Sequence, residues 1–257
     1  MLTRILTALI IIAVVLPPFI FGGYLMKALV LACILMTSYE VSALPEGKPD
    51  WVQTIIMSAF VFGCDYVPAS YLPAAAAGAL VLLFTASYLN ESFTTERAVY
   101  TYVIGSITLM ASRCIFRLYG GANAFFPMMF IALACYVCDT GAYFFGVYLG
   151  KHKMIPRISP NKTWEGAIGG YAAGVIVSLL FGIFAMKQYP LSFLIVAACT
   201  LPAVAEIGDL AFSSVKRHFG IKDFGSFLPG HGGALDRLDS LLFCLMFFNG
   251  LLICWGI

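Results

Sequence analysis

Long apolar runs separated by short polar breaks dominate the chain, at residues 5–21, 25–44, 51–67, 71–89, 99–112, 124–149, 167–186, 191–212 and 235–255. A hydrocarbon core about 30 Å thick needs roughly 20 apolar residues per helical crossing, so each run predicts one transmembrane helix. The runs are continuous, whereas the strands of a membrane β-barrel would alternate with a period of two. The first run is followed at once by a second, and no small-residue cleavage site stands out after Pro17 and Pro18. It therefore reads as a retained helix and not as a removable leader. The pattern predicts an all-α polytopic integral membrane protein with about nine transmembrane helices.

Composition sharpens this reading. Of the 257 residues 61% are hydrophobic and 11% charged, with a net charge of +2, which leaves too few polar side chains to cover a water-facing surface. Disorder is excluded by the same balance, and there is no basic excess for nucleic acid. Lys and Arg in short loops are retained on the cytoplasmic side. With nine crossings and an internal N-terminus, eleven fall inside: Arg4, Lys48, Arg97, Lys151, Lys153, Arg157, Lys162, Lys216, Arg217, Lys222 and Arg237. Four (Lys27, Arg113, Arg117 and Lys187) fall outside, and the C-terminus is then external. The eight cysteines lie almost entirely within apolar runs, where a thiol behaves as a small hydrophobe, so no disulfide framework is implied. Scattered glycines suit close helix packing.

Polar residues divide the chain. Residues 1–121 carry their charges at helix ends or in short loops, and read as packing helices with a surface available for contact between subunits. Residues 122–257 place Asp139, Glu206, Asp209, Asp236 and Asp239 inside or at the edge of apolar runs. A carboxylate at membrane depth costs at least about 2.5 kcal/mol on insertion scales, so it faces a cavity, a partner or an ion. Five together predict a site.

Three segments carry the chemistry. Asp139 is followed by Thr140, Gly141 and Ala142, small residues that let another group approach. Residues 151–166 form a basic loop ending Ser159-Pro160-Asn161-Lys162-Thr163 just where an apolar helix begins. Hydroxyls, a lysine and free amides at a helix N-terminus favour anions, and a phosphate would suit them. Glu206, Asp209, Ser213, Lys216 and Arg217 recur every three or four residues, so one helix face changes from acidic within the membrane to basic at its surface. Lys222-Asp223 then leads into Pro229-Gly230-His231-Gly232-Gly233, a turn whose backbone can approach a ligand as phosphate-cradling loops do. Asp236 and Asp239 follow at i and i+3, flanking Arg237. Oxygen-only ligands at low count match Mg²⁺ better than Zn²⁺ or a full Ca²⁺ cage. Carboxylates for a metal beside cations for anions, at the edge of a lipid-embedded bundle, describe a nucleotide or pyrophosphate site with access to a lipid headgroup.

These residues resemble a known family. The run Ser213-Ser214-Val215-Lys216-Arg217, then Lys222-Asp223, Pro229-Gly230-His231-Gly232-Gly233 and Asp236-Arg237-Leu238-Asp239 is similar to the signature of the phosphatidate cytidylyltransferases, or CDP-diacylglycerol synthases. Asp139-Thr140 with Ala142, Tyr143 and Gly146, and the stretch Ser159 to Gly166, resemble further motifs of that family in the same order. Ala234 departs from it, standing where members usually carry a larger aliphatic residue.

The resemblance implies transfer of a cytidylyl group from CTP to phosphatidic acid, with Mg²⁺, at the cytoplasmic face of a membrane protein that works as a homodimer. It also implies roles. Asp209, Asp236 and Asp239 would hold the metal with Glu206 and Asp139 nearby, and Lys216 and Arg237 would act with them in catalysis. Ser159, Asn161, Lys162, Thr163, Arg217, Lys222, His231, Gly232 and Gly233 would bind phosphates. Two other readings use the same residues: a CTP-dependent lipid kinase acting on polyprenols, which would transfer the γ-phosphoryl group, and an ion-coupled transporter, which also carries buried acids.

Overall fold

The computed structural model describes residues 2–44, 47–121, 123–228, 230 and 232–257. Among them nine α-helices follow in order: α1 (Leu2–Phe21), α2 (Gly23–Ser42), α3 (Trp51–Asp65), α4 (Leu72–Leu89), α5 (Thr95–Tyr119), α6 (Phe125–Leu149), α7 (Trp164–Ala185), α8 (Leu191–His218) and α9 (Leu235–Trp255). Each apolar run has become a helix, because a helix satisfies every backbone polar group within the segment where lipid cannot. The nine expected crossings resolve into seven helices long and apolar enough to span a membrane and two shorter apolar ones, Leu9–Phe21 within α1 and Trp51–Asp65.

Helix ends differ where polar residues continue the helix past the lipid-matched stretch. The fifth runs from Thr95 to Tyr119 rather than over 99–112, and the eighth reaches His218 rather than stopping at 212. Hydropathy reports only the lipid-buried part, and these extra turns carry Glu96, Arg97, Arg113, Lys216 and Arg217. One element was not expected at all. The basic loop folds as an antiparallel hairpin of β1 (Lys153–Ile155) and β2 (Ser159–Thr163), with Lys153 opposite Thr163 and Ile155 opposite Ser159. Its strands, of three and five residues with Pro160 inside the second, are too short to show alternation.

The chain forms two compact units. Residues 1–113 with 223–237 make the first, and residues 114–222 with 238–257 the second. The glycine-rich segment thus belongs with the N-terminal helices. Within the first unit α5 holds the short α3 at both ends. Asp50 caps α3 by accepting from the Val52 and Gln53 amides, and Arg97 Nη1 pairs with Asp50 Oδ2 at 2.8 Å. At the other end Arg113 Nη1 donates to the carbonyls of Cys64 and Val67 at 2.8 and 2.9 Å. The sixteen-residue spacing of the two arginines is about 24 Å of helix, matching a fifteen-residue partner.

In the second unit α6 and α7 are joined along a stripe of small residues, with Gly166, Gly170, Gly174, Ser178 and Gly182 all buried. A Cβ added to Gly170 would stand 2.5 Å from the Cys138 carbonyl and 2.6 Å from the Ala142 amide, and one on Gly166 would stand 2.7 Å from the Ala142 carbonyl. Small residues at every fourth position let two backbones approach where no hydrophobic force separates helix from lipid. That contact fixes the hairpin, which enters α7 directly, against the C-terminal end of α6, where a Cβ on Gly146 would stand 3.3 Å from Thr163 Oγ1.

Candidate active site

The polar face of α8 is built as its spacing requires. The helix is continuous from Leu191 to His218, so Glu206, Asp209, Ser213 and Lys216 recur along one side of it, with Glu206 and Lys216 buried. The hairpin delivers a cation to the acidic end. Lys162 Nζ lies 2.6 Å from Glu206 Oε2 and 2.7 Å from Asp209 Oδ2. Burial by itself would lower the lysine's pKa, but Asp209 and Glu206 outweigh it and hold the ammonium above its ordinary value. Ser213 Oγ donates to the other Asp209 oxygen at 3.5 Å, and the Cys138 thiol on α6 stands 3.8 Å from Glu206 Oε1.

Two more acids complete the cluster. Asp139 on α6 accepts from Ser240 Oγ at 3.2 Å, while Asp239 on α9 accepts from the Ser240 amide at 2.8 Å and faces Lys216 Nζ at 4.0 Å. Asp139 lies within electrostatic reach of Asp209, Glu206 and Asp239 as well as Lys162. Ser240, whose hydroxyl joins α9 to Asp139, was not singled out from the sequence, since a serine beside an aspartate carries no signal of its own.

This donor set suits a hard divalent cation in its chemistry: four carboxylates, and no thiolate or imidazole described among them. A cation is already clasped by two of the four, in the form of the Lys162 ammonium. Among the described residues no three His, Cys, Asp or Glu side chains converge as a ready-made metal site.

The hairpin residues divide by role. Thr163 is buried and caps α7, its hydroxyl accepting from the Gly166 amide. Glu165 closes the hairpin's base by accepting from the Lys151 and His152 amides. Ser159 is half-buried in β2, and Asn161 is exposed beside Lys162. Arg217 donates from Nε to the Ile158 carbonyl at 3.2 Å and from Nη1 to the Ile221 carbonyl at 2.8 Å, bracing the hairpin turn against the end of α8. Lys222 and Arg237 are exposed, and His231 lies outside the described residues.

The glycine-rich segment lies in the first unit, where acids of the chain take several of its amides. Asp236 Oδ2 accepts from the amides of Phe224 and Gly233 at 2.8 and 2.9 Å, and the next two amides, Ala234 and Leu235, donate to the carboxylate of Glu40. Gly230 and Gly232 adopt positive φ, 78° and 83°, and the Leu228 amide closes the turn on the Gly232 carbonyl. Three successive donors at the start of α9 are therefore committed to the protein's own acids. Glu40, a helix-end charge as its position in the sequence suggests, is buried here.

Comparison with known proteins fits this arrangement. A model of the cytidylyltransferase family matches residues 2–255. A phosphatidate cytidylyltransferase of Staphylococcus haemolyticus is 32% identical over 275 aligned positions, covering 98% of this chain and 99% of that protein. One from Staphylococcus aureus is 32% identical with the same coverage. Another, from Staphylococcus saprophyticus, is 48% identical over 126 residues, 49% of this chain and 48% of that protein. With a match running nearly end to end, the chain belongs to the cytidylyltransferase family.

Proposed function

We propose that the cluster of Asp139, Lys162, Glu206, Asp209, Lys216 and Asp239 carries the transfer of the cytidylyl group of CTP to phosphatidic acid, giving CDP-diacylglycerol and pyrophosphate. The transfer follows from family membership. The observation that carries its assignment to these residues is the clasp of Lys162 by Glu206 and Asp209, with Lys216 two turns further along the same helix. One helix thus presents a cation-binding and an anion-binding end in sequence.

The chemistry needs little more. Phosphatidate brings an ionised phosphate as nucleophile, so no strong general base is required. A phosphate oxygen bonds to the α-phosphorus of CTP, the bond to the bridging oxygen breaks, and pyrophosphate leaves with the electron pair. Lys216, Lys222 and Arg237 neutralise the phosphates, and Lys162 with Ser159 and Asn161 holds one of them from the hairpin. Thr163 and Arg217 act through position, since their polar atoms are engaged with backbone. Asp209, Asp139 and Asp239, with Glu206, would hold Mg²⁺, which when bound supplies Lewis acidity and charge neutralisation.

The 11-to-4 division of basic residues supports a cytoplasmic site and N-terminus with an external C-terminus, in the membrane that holds the lipid substrate. The family resemblance supports a homodimer, and we place the N-terminal helices, among which α4 is little covered within the chain, at the contact. Native mass measurement in mild detergent tests this, and a species of one chain mass throughout would contradict it.

Product analysis tests the transfer. With phosphatidate micelles and Mg²⁺, label from [α-³²P]CTP enters the lipid and pyrophosphate appears in equal amount, and EDTA stops both. Label entering only from [γ-³²P]CTP would mean a lipid kinase instead.

A further inference from the structure

We infer that Glu40, in the otherwise silent N-terminal half, is a positioning residue for the reaction: it clamps the glycine turn and the first turn of α9. This rests on the reading above that the first turns of α9, with Arg237 and Asp239, belong to the working site.

Glu40 sits in the last turn of α2 and is 1% exposed. Its two oxygens are both used, Oε1 accepting from the Ala234 amide and Oε2 from the Leu235 amide, each at 2.8 Å. Charge-assisted pairs of this kind are roughly twice as strong as neutral ones, and their fork fixes direction as well as distance. The turn is shaped around the carboxylate. A Cβ on Gly225 would stand 2.6 Å from Oε1, and one on Gly233 would collide with the same oxygen. Next to it, Tyr39 meets Phe227 edge-on with centroids 5.3 Å apart, so two consecutive residues of α2 grip the segment.

Asp236 completes the clamp by holding Phe224 and Gly233. Amides 233, 234 and 235 are thus bonded in series to acids at 236, 40 and 40. Helix N-termini need such acceptors, and a local Ser, Asp or Asn before the helix ordinarily supplies them. Here the acceptor arrives from 194 residues away and sets a buried carboxyl beside the amides that Asp236 also serves. A buried charge is costly unless it is fully hydrogen-bonded, so its use in place of a local cap points to a demand for fixed orientation. What it orients is Arg237, whose amide bonds to the Ala234 carbonyl at 3.0 Å, and, two residues on in the same helix, Asp239.

The test uses the full-length protein in detergent. Glu40→Gln keeps the shape but offers one carbonyl acceptor and turns an NH₂ toward the other amide. Amide exchange in the peptide covering residues 224–238 should accelerate at least tenfold, with peptides of α3 and α5 unchanged. Turnover should fall at least tenfold while KM for phosphatidate stays within threefold. Gly233→Ala, which displaces the carboxylate without neutralising it, should give the same signature, so the inference does not depend on one variant folding. Unchanged exchange in both folded variants overturns the clamp, whatever happens to activity. Faster exchange with wild-type turnover leaves the clamp standing but overturns its link to the reaction and the placing of the first turns of α9 in the site. Loss of exchange protection throughout the chain in both variants overturns the positioning role in favour of a general structural one.

Discussion

Replacing Lys162 by Met removes the ammonium that pairs the hairpin with the acids of α8 and leaves Glu206 and Asp209 without it. At 2.6 and 2.7 Å and an effective dielectric near 20, each ion pair is worth roughly 6 kcal/mol before desolvation. Desolvation returns several kcal/mol per ion, and the lysine side chain keeps 20% of its exposure, which screens the pairs further. Breaking a fully buried pair costs about 3–5 kcal/mol, so about 3 kcal/mol is the expected net for this partly open one. Were that loss felt fully in the transition state, the rate would fall about 10²-fold. Purified Lys162→Met should therefore turn over CTP about 10²-fold more slowly and melt lower in detergent, with Lys162→Arg intermediate because a planar fork replaces a compact ammonium. Turnover within threefold of wild type, with an unchanged melting midpoint, would refute the assignment.

Lys162 also sets a pH expectation. Its folded pKa lies above the ordinary lysine value, so its contribution to stability is complete below about pH 10 and lost only as pH rises through the folded value. The gap in melting midpoint between wild type and Lys162→Met should not shrink between about pH 7 and pH 10. Gly170→Ala forces a methyl against the backbone of α6 and should cost about 1–3 kcal/mol or more, read as a lower melting midpoint. Arg97→Met breaks a pair whose arginine is 3% exposed and should cost about 3 kcal/mol of stability while KM for CTP stays as in wild type, since α3 and α5 hold each other rather than the site. A changed KM there would mean that the N-terminal unit is coupled to nucleotide binding through α5.

Much of the fold and of the site is legible in the sequence because lipid simplifies the rules. An apolar run has one stable outcome, so helix positions followed from hydropathy, and an acid among apolar residues stands out because it is expensive there. Asp139, Glu206, Asp209 and Asp239 were found in this way, and the spacing of Glu206, Asp209, Ser213 and Lys216 placed them on one face. Their convergence with Lys162 was not readable, since it depends on a short hairpin that carries no periodic signal. Glu40 was missed for the opposite reason. It lies at the end of an apolar run, where charges are cheap and common, and only the fold shows that water is absent there and that its partners lie at residues 234 and 235. At the glycine turn the glycines mark where backbone is approached closely, and at Gly225 and Gly233 the approaching group is the carboxylate of Glu40.

The reading centres on Asp209, which faces Lys162 and Ser213 together. The most direct measurement compares wild type with Asp209→Asn in phosphatidate micelles with Mg²⁺, following [α-³²P]CTP into lipid and pyrophosphate release from protein shown to be folded and monodisperse. The account predicts labelled lipid with equal pyrophosphate for wild type and a loss of 10²-fold or more for Asp209→Asn, the scale of removing one charged group that acts in the transition state. Asp209→Asn protein turning over at the wild-type rate would contradict it.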